Sequence, residues 1–239
     1  MTKVKPYNNL ETKKKQVTKM FDNIAGSYDF LNHTLSLGMD NIWRKIAIKE
    51  LSNNPATILD IATGTGDFAI SASKYTNATI TGIDISQGML DVGVEKINKK
   101  GLTDRIQLQL ADSEKLPFQD NSYDAITAGF GVRNFEDLNK GLSEMYRTLK
   151  PGGKVAILEP SEPTNFPLKQ FYNLYFHHIL PFIGGIVSKD KNAYTYLPDS
   201  VSAFPSGNNF LIELNKVGFK ESNHIPLSFG IVSLYIAIK

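Results

Sequence analysis

Apolar residues near the start of the chain recur at helical spacing. The segment Val17–Ile24 places four apolar side chains at i, i+3, i+4 and i+7, and Ile42–Ala47 follows a similar pattern. Two amphipathic helices are therefore predicted, with a polar and aromatic connector over residues 26–40 between them. We assign residues 1–55 to an N-terminal helical cap and residues 56–239 to the main domain.

From Thr57 onward, short apolar runs alternate with helical patterns. The predicted strands are TILDIA, ATITGIDI, RIQLQLAD, YDAITAGFG and KVAILEP, followed by two C-terminal strands around a turn at residues 228–230. Ser86 is placed to cap a helix that stops at Gly101, and Leu138–Leu149 forms a second amphipathic helix. Strands separated by helices imply an α/β fold with a doubly wound, mostly parallel sheet and an antiparallel pair at one edge.

Composition narrows the chemistry that this fold can carry. The chain has 239 residues, of which 41% are hydrophobic and 21% charged, as in ordinary globular proteins. A net charge of +2 gives no argument for a nucleic-acid partner, and the absence of cysteine excludes disulfides and thiolate metal sites. The four histidines are scattered, so we expect no metal site, although carboxylates alone could hold magnesium. Without a signal peptide or an apolar run of spanning length, a cytoplasmic location is expected.

The stretch ILDIATGTGDFAI indicates a nucleotide site. Gly64, Gly66 and Ala69 fit G-x-G-x-x-A after a predicted strand, where glycine lets a ligand approach the backbone. Asp84 ends the next strand twenty residues after Gly64, at the usual position of a carboxylate that binds ribose hydroxyls. Asp60 lies within the first strand and can order the loop from below. On these residues alone, a nicotinamide-dependent oxidoreductase and a purely structural turn both stay open.

The segment after the third strand and the LKPGG segment before the fifth strand distinguish these possibilities. Asp112 and Ser113 stand where they can meet an adenine amino group, and no second pyrophosphate loop appears. Together, DIATGTGD, GIDIS, ADSEKLPFQDNSYDAIT and LKPGGKVAILE resemble the motif series of class I S-adenosylmethionine-dependent methyltransferases. From about Val17 to the C-terminus, MFDNIAGSYDFLNHTLSLGMDNIWRK, FGVRNFEDLNKGLSEMYRTLKPGG and KDKNAYTYLPDSVSAFP further resemble the C-methyltransferases of menaquinone and ubiquinone biosynthesis.

This resemblance implies a seven-stranded Rossmann-like sheet with a reversed last strand. It also implies that S-adenosylmethionine is held by Thr65 in the glycine loop, by Asp84, and by Asp112 with Ser113. Where many relatives carry a serine after the fourth strand, this chain has Gly129, so a hydroxyl contact is missing there. The implied reaction is methylation of a ring carbon of demethylmenaquinol. Methylation of a benzoquinol or another small aromatic is the alternative.

Methyl transfer to a quinol ring carbon requires loss of a phenol proton and stabilisation of the oxyanion. Arg133 and Asn134 follow the fourth strand, at the edge where a doubly wound sheet forms its crevice. We expect Arg133 to stabilise the phenolate and Asn134 to orient it. The alternative for Arg133 is a surface salt bridge with Glu136 or Asp137.

Four further side chains each have a functional and a structural interpretation. His178 is a second candidate for proton transfer, because histidine titrates near neutrality, or it is structural. Tyr28 resembles the lid residue that closes over the cofactor in many methyltransferases, or it packs within the connector. Tyr194 and Tyr196 line the quinol site or pack the insert that covers about residues 161–205.

A prenylated naphthoquinol, the expected substrate, would require peripheral contact with the inner face of the cell membrane. Six lysines within the first 19 residues and the aromatic insert would suit such a surface. Alternatively, the lysines belong to a solvated helix and the aromatic insert packs in the core. Formation of a homodimer stays open from the sequence.

Overall fold

A computed structural model describes residues 4–51, 54–163, 165–174 and 191–239. The helices are α1 (Lys13–Leu35), α2 (Met39–Glu50), α3 (Asp67–Tyr75), α4 (Gln87–Lys99), α5 (Leu138–Thr148), α6 (Leu168–Leu174), α7 (Lys191–Ala203) and α8 (Asn208–Lys216). The strands are β1 (Thr57–Ile61), β2 (Thr79–Asp84), β3 (Ile106–Leu110), β4 (Tyr123–Gly129), β5 (Leu149–Pro160), β6 (Lys220–Leu227) and β7 (Val232–Ile238).

The strands form one seven-stranded sheet in the order β3-β2-β1-β4-β5-β7-β6. Strands β1 to β5 pair in parallel, whereas β7 runs antiparallel to both β5 and β6. The predicted doubly wound sheet and its antiparallel C-terminal pair are therefore confirmed. The order reverses between β1 and β4, which opens a crevice at the carboxyl ends of these strands.

Apolar cores cover both faces of the sheet, because successive strand residues point to opposite sides. Ile58 of β1 belongs to a cluster with Trp43 of α2 and Phe68 of α3. The next residue, Leu59, belongs to a cluster on the other face with Leu142 of α5 and Phe210 of α8. Helix α2 thus shares the main core of the sheet, and the division of the chain at residue 55 stays a prediction.

Helix α1 is longer than the sequence analysis predicted. The connector was expected to begin at Gly26, but the helix continues to Leu35 and the chain turns only at Leu37 and Gly38, which both have positive φ. A glycine within a helix costs only about 1 kcal/mol, which tertiary contacts readily offset. Asp29 supplies such contacts, since its carboxylate accepts hydrogen bonds from Thr65 and Lys96.

Strand β5 begins earlier than the predicted start at Lys154. Leu149 pairs with Tyr123, and after a shift in register the regular parallel pairing resumes with Lys154 opposite Ala125. The glycines of LKPGG therefore lie within the strand, with Gly152 at φ +76°. Ser86 caps α4 as predicted, because its hydroxyl accepts the Met89 N–H.

Candidate active site

A cleft lies at the carboxyl ends of the parallel strands. Its walls come from the loops after β1, β3 and β4, from the end of β2 and from one side of α1, and it holds about 620 Å3 including its opening to solvent. Six residues that the sequence analysis selected line this one cleft: Tyr28, Gly64, Asp84, Asp112, Ser113 and Asn134.

The glycine loop presents bare backbone to the cleft. Gly64 has φ +56°, a conformation that favours glycine, and a Cβ built on it would meet no atom within 4 Å. Asp84 accepts hydrogen bonds from the backbone N–H groups of Gly64 and Ser86, each at 2.9 Å. Burial raises the pKa of the Asp84 carboxyl above its ordinary value. Because each carboxylate oxygen can accept more than one hydrogen bond, Asp84 can still bind the hydroxyls of a ligand.

Asp60 supports the same loop from beneath and does not line the cleft. Its carboxylate is fully buried and accepts hydrogen bonds from the hydroxyls of Thr63 at 2.5 Å and Thr127 at 2.6 Å. Burial raises the pKa of Asp60 to about 6, although both hydroxyls oppose the shift. Thr63 also donates its backbone N–H to the Ile83 carbonyl, so the loop is tied to two neighbouring strands.

The structure does not bring Thr65 into the cleft. Its buried hydroxyl donates to Asp29 of α1 at 2.5 Å and accepts from Lys96 of α4 at 3.1 Å. Gly66 follows with φ +81° at the start of α3 and donates its N–H to the Thr63 carbonyl. Thr65 therefore anchors the loop to the helices around it, and direct cofactor contact by this side chain stays a prediction.

Asp112 and Ser113 line the wall beyond β3, where α1 also reaches them. Lys14 of α1 contacts Asp112 at 2.7 Å and Glu114 at 3.0 Å. Its neighbour Lys13 donates to the backbone carbonyls of Arg133 and Phe135, in the segment after β4. The N-terminal turn of α1 thus bridges two walls of the cleft, a role that the sequence analysis missed because nothing in KKK distinguishes these lysines from solvated ones.

Arg133 pairs with a buried acid rather than with either predicted partner. Its Nη1 lies 3.0 Å from the Oε2 of Glu159, a residue with no exposed surface at the end of β5. Burial raises the pKa of the Glu159 carboxyl, and the Arg133 charge opposes that rise. The expected alternative, pairing with Glu136 or Asp137, was wrong, because the turn that carries Arg133 folds back onto β5. The guanidinium belongs to this internal pair and is not among the groups that line the cleft.

Asn134, the next residue, does line the cleft and is only 7% exposed. Its Oδ1 accepts a hydrogen bond from the Tyr196 hydroxyl at 3.1 Å. Its Nδ2 is buried and has no hydrogen-bond partner within the described part of the chain. A buried amide donor left unpaired in a cleft is a group that a ligand oxygen would satisfy.

Of the tyrosine and histidine candidates, the structure describes the side chains of Tyr28 and Tyr196. Tyr28 lines the cleft from α1 and packs edge-on against Phe21, and burial raises the pKa of its phenol. Tyr196 touches the site through its hydroxyl, whereas its ring is packed in the core cluster with Val17 of α1. Tyr194 lies on α7, and the described side chains do not include it; His178 lies outside the described residues altogether.

Two aromatic residues near the cleft also escaped the sequence analysis. Phe130 lines the cleft in a left-handed conformation, φ +62°, and packs edge-on against Trp43 at a centroid distance of 6.2 Å. Phe21 lines the cleft from α1. The cleft thus combines apolar rings with carboxylates and with the Asn134 amide, whose N–H group has no partner among the described residues.

Comparison with known proteins assigns this architecture. The model of the ubiE/COQ5 methyltransferase family matches residues 9–239. The chain belongs to this family. A demethylmenaquinone methyltransferase of Bacteroides fragilis is 50% identical over 239 residues, which cover 99% of this chain and 98% of that protein. The ubiquinone/menaquinone biosynthesis C-methyltransferase UbiE of Geotalea daltonii is 47% identical, covering 96% of this chain and 99% of that one.

Solved structures agree with the fold. A SAM-dependent methyltransferase from Aquifex aeolicus superposes with a TM-score of 0.62 at 18% identity and covers 97% of this chain and 100% of that one. The match to the family model and the similarity to the curated relatives confirm the family that the sequence resembles, so the nicotinamide-dependent alternative is rejected.

The residues present fit S-adenosylmethionine. The backbone at Gly64 leaves room for a ligand to approach, Asp84 offers a carboxylate beside it, and Asp112 with Ser113 adds further polar groups. All of these groups line the same cleft.

Proposed function

We propose that this methyltransferase transfers the methyl group of S-adenosylmethionine to a ring carbon of demethylmenaquinol. The observation that carries the proposal is that one cleft is lined both by the glycine loop with Asp84 and by Asn134, whose amide N–H has no partner among the described residues. The first group of residues suits a nucleoside, and the second suits an oxygen of an aromatic acceptor. The Bacteroides relative, named for this activity, supports the choice of substrate.

When bound, S-adenosylmethionine supplies an electrophilic methyl group, so the protein has mainly to position the acceptor carbon in line with it. Asp84 would hold the ribose hydroxyls, and Asp112 with Ser113 would hold the adenine. Asp60 would keep the loop rigid through Thr63. Because Phe21 and Phe130 both line it, the cleft would also exclude water from the reacting atoms.

On the acceptor side, Asn134 would donate to a phenolic oxygen of the quinol. Arg133 would contribute its charge from the layer behind, reduced by its pairing with Glu159. A phenolate stabilised in this way makes the adjacent ring carbon nucleophilic. His178 stays a proposal for proton transfer.

The test is an anaerobic assay of the purified protein with S-adenosylmethionine and a short-chain 2-prenyl-1,4-naphthoquinol, followed by mass spectrometry. We expect a product heavier by one methylene, and strongly reduced product with Asp84→Asn. Formation of no methylated quinone by the wild-type protein, at saturating cofactor, would overturn the proposal.

A benzoquinol substrate is the second candidate, because the Geotalea relative is named for both ubiquinone and menaquinone biosynthesis. The same assay with a prenylated benzoquinol distinguishes the two. The proposal predicts a higher kcat/KM for the naphthoquinol. A higher kcat/KM for the benzoquinol would instead make the benzoquinol the preferred substrate.

We further propose that the protein meets a membrane surface peripherally. Within the described residues, no helix is long and apolar enough to cross a bilayer. The N-terminal lysines support the idea less than the sequence suggested, because Lys13 and Lys14 make contacts inside the protein. Better support comes from Phe166 and Phe229, which are each 81% exposed.

Phe166 and Phe229 lie on neighbouring segments. A hydrogen bond joins Ser161 to the Gly230 carbonyl at 2.8 Å, and the Gly230 backbone packs beside Pro163. Sedimentation with anionic liposomes tests the contact. We expect wild-type protein to bind and the double variant Phe166→Ser/Phe229→Ser to bind less; equal sedimentation of both would contradict it.

A further inference from the structure

Asn134 is a side chain with two different halves. Its carbonyl oxygen has a partner inside the protein, the Tyr196 hydroxyl at 3.1 Å, whereas its buried amino group has none among the described residues. Burying an amide N–H without a hydrogen-bond partner costs free energy, so such a group needs an explanation. Because Asn134 lines the cleft, a bound ligand would supply the missing partner.

The backbone of Asn134 is fixed from the strand side. The residue closes a short 3-10 turn, Val132–Asn134, and donates its N–H to the Gly131 carbonyl at 3.0 Å. Glu159 accepts the Val132 N–H at 2.6 Å and so holds the turn against β5. With the backbone held, the remaining freedom of Asn134 is rotation of its side-chain amide.

Tyr196 controls that rotation. The Tyr196 ring is 3% exposed and packs with Val17, Met20 and Met89, between α1 and α4, so its hydroxyl has a fixed position. Burial raises the pKa of Tyr196 to about 12, so the phenol keeps its proton at neutral pH. Asn134 Oδ1 is its only acceptor among the described residues. If the Asn134 amide turned over, this proton would lose its acceptor.

We propose that Tyr196 is a positioning residue that locks the Asn134 amide with its NH2 group toward the cleft, and so selects an aromatic substrate in its phenolate form. The inference rests on the proposed function, because it assumes a phenolic oxygen in the cleft. An N–H donor bonds a charged oxygen more strongly than a neutral one. The locked amide therefore favours ionisation of the bound phenol, whereas a turned amide would present a carbonyl oxygen and oppose it.

The sharpest readout is the ionisation of a bound phenol, because a purely structural role of Tyr196 would change affinity but not this property. The probe is a nitronaphthol, whose phenolate absorbs visible light, bound to the full-length protein saturated with S-adenosylhomocysteine. Titration over pH gives the pKa of the bound probe. The variants are Tyr196→Phe, which removes one oxygen, and Tyr235→Phe as a matched control, because the Tyr235 hydroxyl is also buried and bonds the distant Gly207 N–H.

We expect the pKa of the bound probe to be about one pKa unit higher in Tyr196→Phe than in the wild-type protein. The reason is that a hydrogen bond to a charged group is stronger than one to a neutral group by roughly the free energy that one pKa unit represents. Tyr235→Phe should match the wild type. In the Asn134→Ala background, Tyr196→Phe should change nothing further, because its effect passes through the amide. An equal probe pKa in the wild type and Tyr196→Phe would overturn the inference.

A lower pKa in Tyr196→Phe would also overturn it, because the wild-type amide would then present its carbonyl. Should Tyr196→Phe fail to fold, Asn134→Ala and Asn134→Asp test the same donor. Both substitutions should raise the pKa of the bound probe. An unchanged pKa in both variants would contradict the inference. Failure of the proposed function has a separate signature: wild-type protein would neither bind the nitronaphthol nor methylate the naphthoquinol.

Discussion

The buried carboxylate beneath the glycine loop makes the stability of the protein depend on pH in an unusual direction. Asp60 has no exposed surface, and burial raises its pKa from 3.8 to about 6. A raised carboxyl pKa means that the folded state binds this proton more tightly than the unfolded state. The contribution of Asp60 to stability is therefore fully present below pH 3.8 and is lost as the pH rises through about 6.

The size of the effect follows from the same two pKa values. Between pH 5 and pH 7.5, the free energy of unfolding should fall by about 1 to 2 kcal/mol through Asp60 alone. Asp60→Asn cannot ionise and keeps an oxygen that can accept from Thr63 or Thr127. The stability of the wild type minus that of Asp60→Asn should therefore fall by about the same amount over this range.

Urea unfolding of both proteins at several pH values, followed by circular dichroism, measures this difference. Asp124→Asn is the control, because hydrogen bonding to Lys150 lowers the pKa of Asp124, which places its titration below the tested range. Its difference from the wild type should stay constant from pH 5 to pH 7.5. A similarly constant difference for Asp60→Asn would refute the account of Asp60 as a desolvated support of the loop.

Three further substitutions test other parts of the site. Glu159→Gln removes the charge that pairs with buried Arg133, and urea unfolding should show a loss of about 3 kcal/mol; a loss below about 1 would contradict a buried pair. Asp84→Asn should raise the dissociation constant of S-adenosylhomocysteine at least ~10-fold by isothermal titration, and an unchanged value would remove Asp84 from the cofactor site. Gly131→Ala places a Cβ 2.4 Å from that of Ala62, so the turn must shift and kcat should fall; wild-type kcat would show that the turn tolerates movement.

The fold was predictable because its signals are local. The period of two along RIQLQLAD and the helical period from Leu138 to Leu149 each identify an element without reference to the rest of the chain, and both elements are present. The end of α1 was not predictable in the same way. Its last ten residues are helical because Asp29 meets Thr65 and Lys96, which are 36 and 67 residues away in the sequence.

The candidate site likewise contains some residues that the sequence could predict and others that it could not. Gly64, Asp84 and Asp112 could be selected because a nucleotide loop has a fixed spacing that one sequence displays. Glu159 could not, because an acid at the end of a strand gives no sign that a turn 26 residues earlier will fold back onto it. That the Asn134 amide N–H lacks a partner among the described residues is likewise visible only in the folded structure.

The central claim is that a ring carbon of a demethylmenaquinol receives the methyl group. Incubation of the purified protein with S-adenosylmethionine carrying a CD3 group and a short-chain demethylmenaquinol, followed by NMR of the reoxidised quinone, tests it most directly. The account predicts a CD3 group bonded to the quinone ring and loss of the ring proton at that carbon. A product with the CD3 group on oxygen, or an intact ring proton at that position, would contradict it.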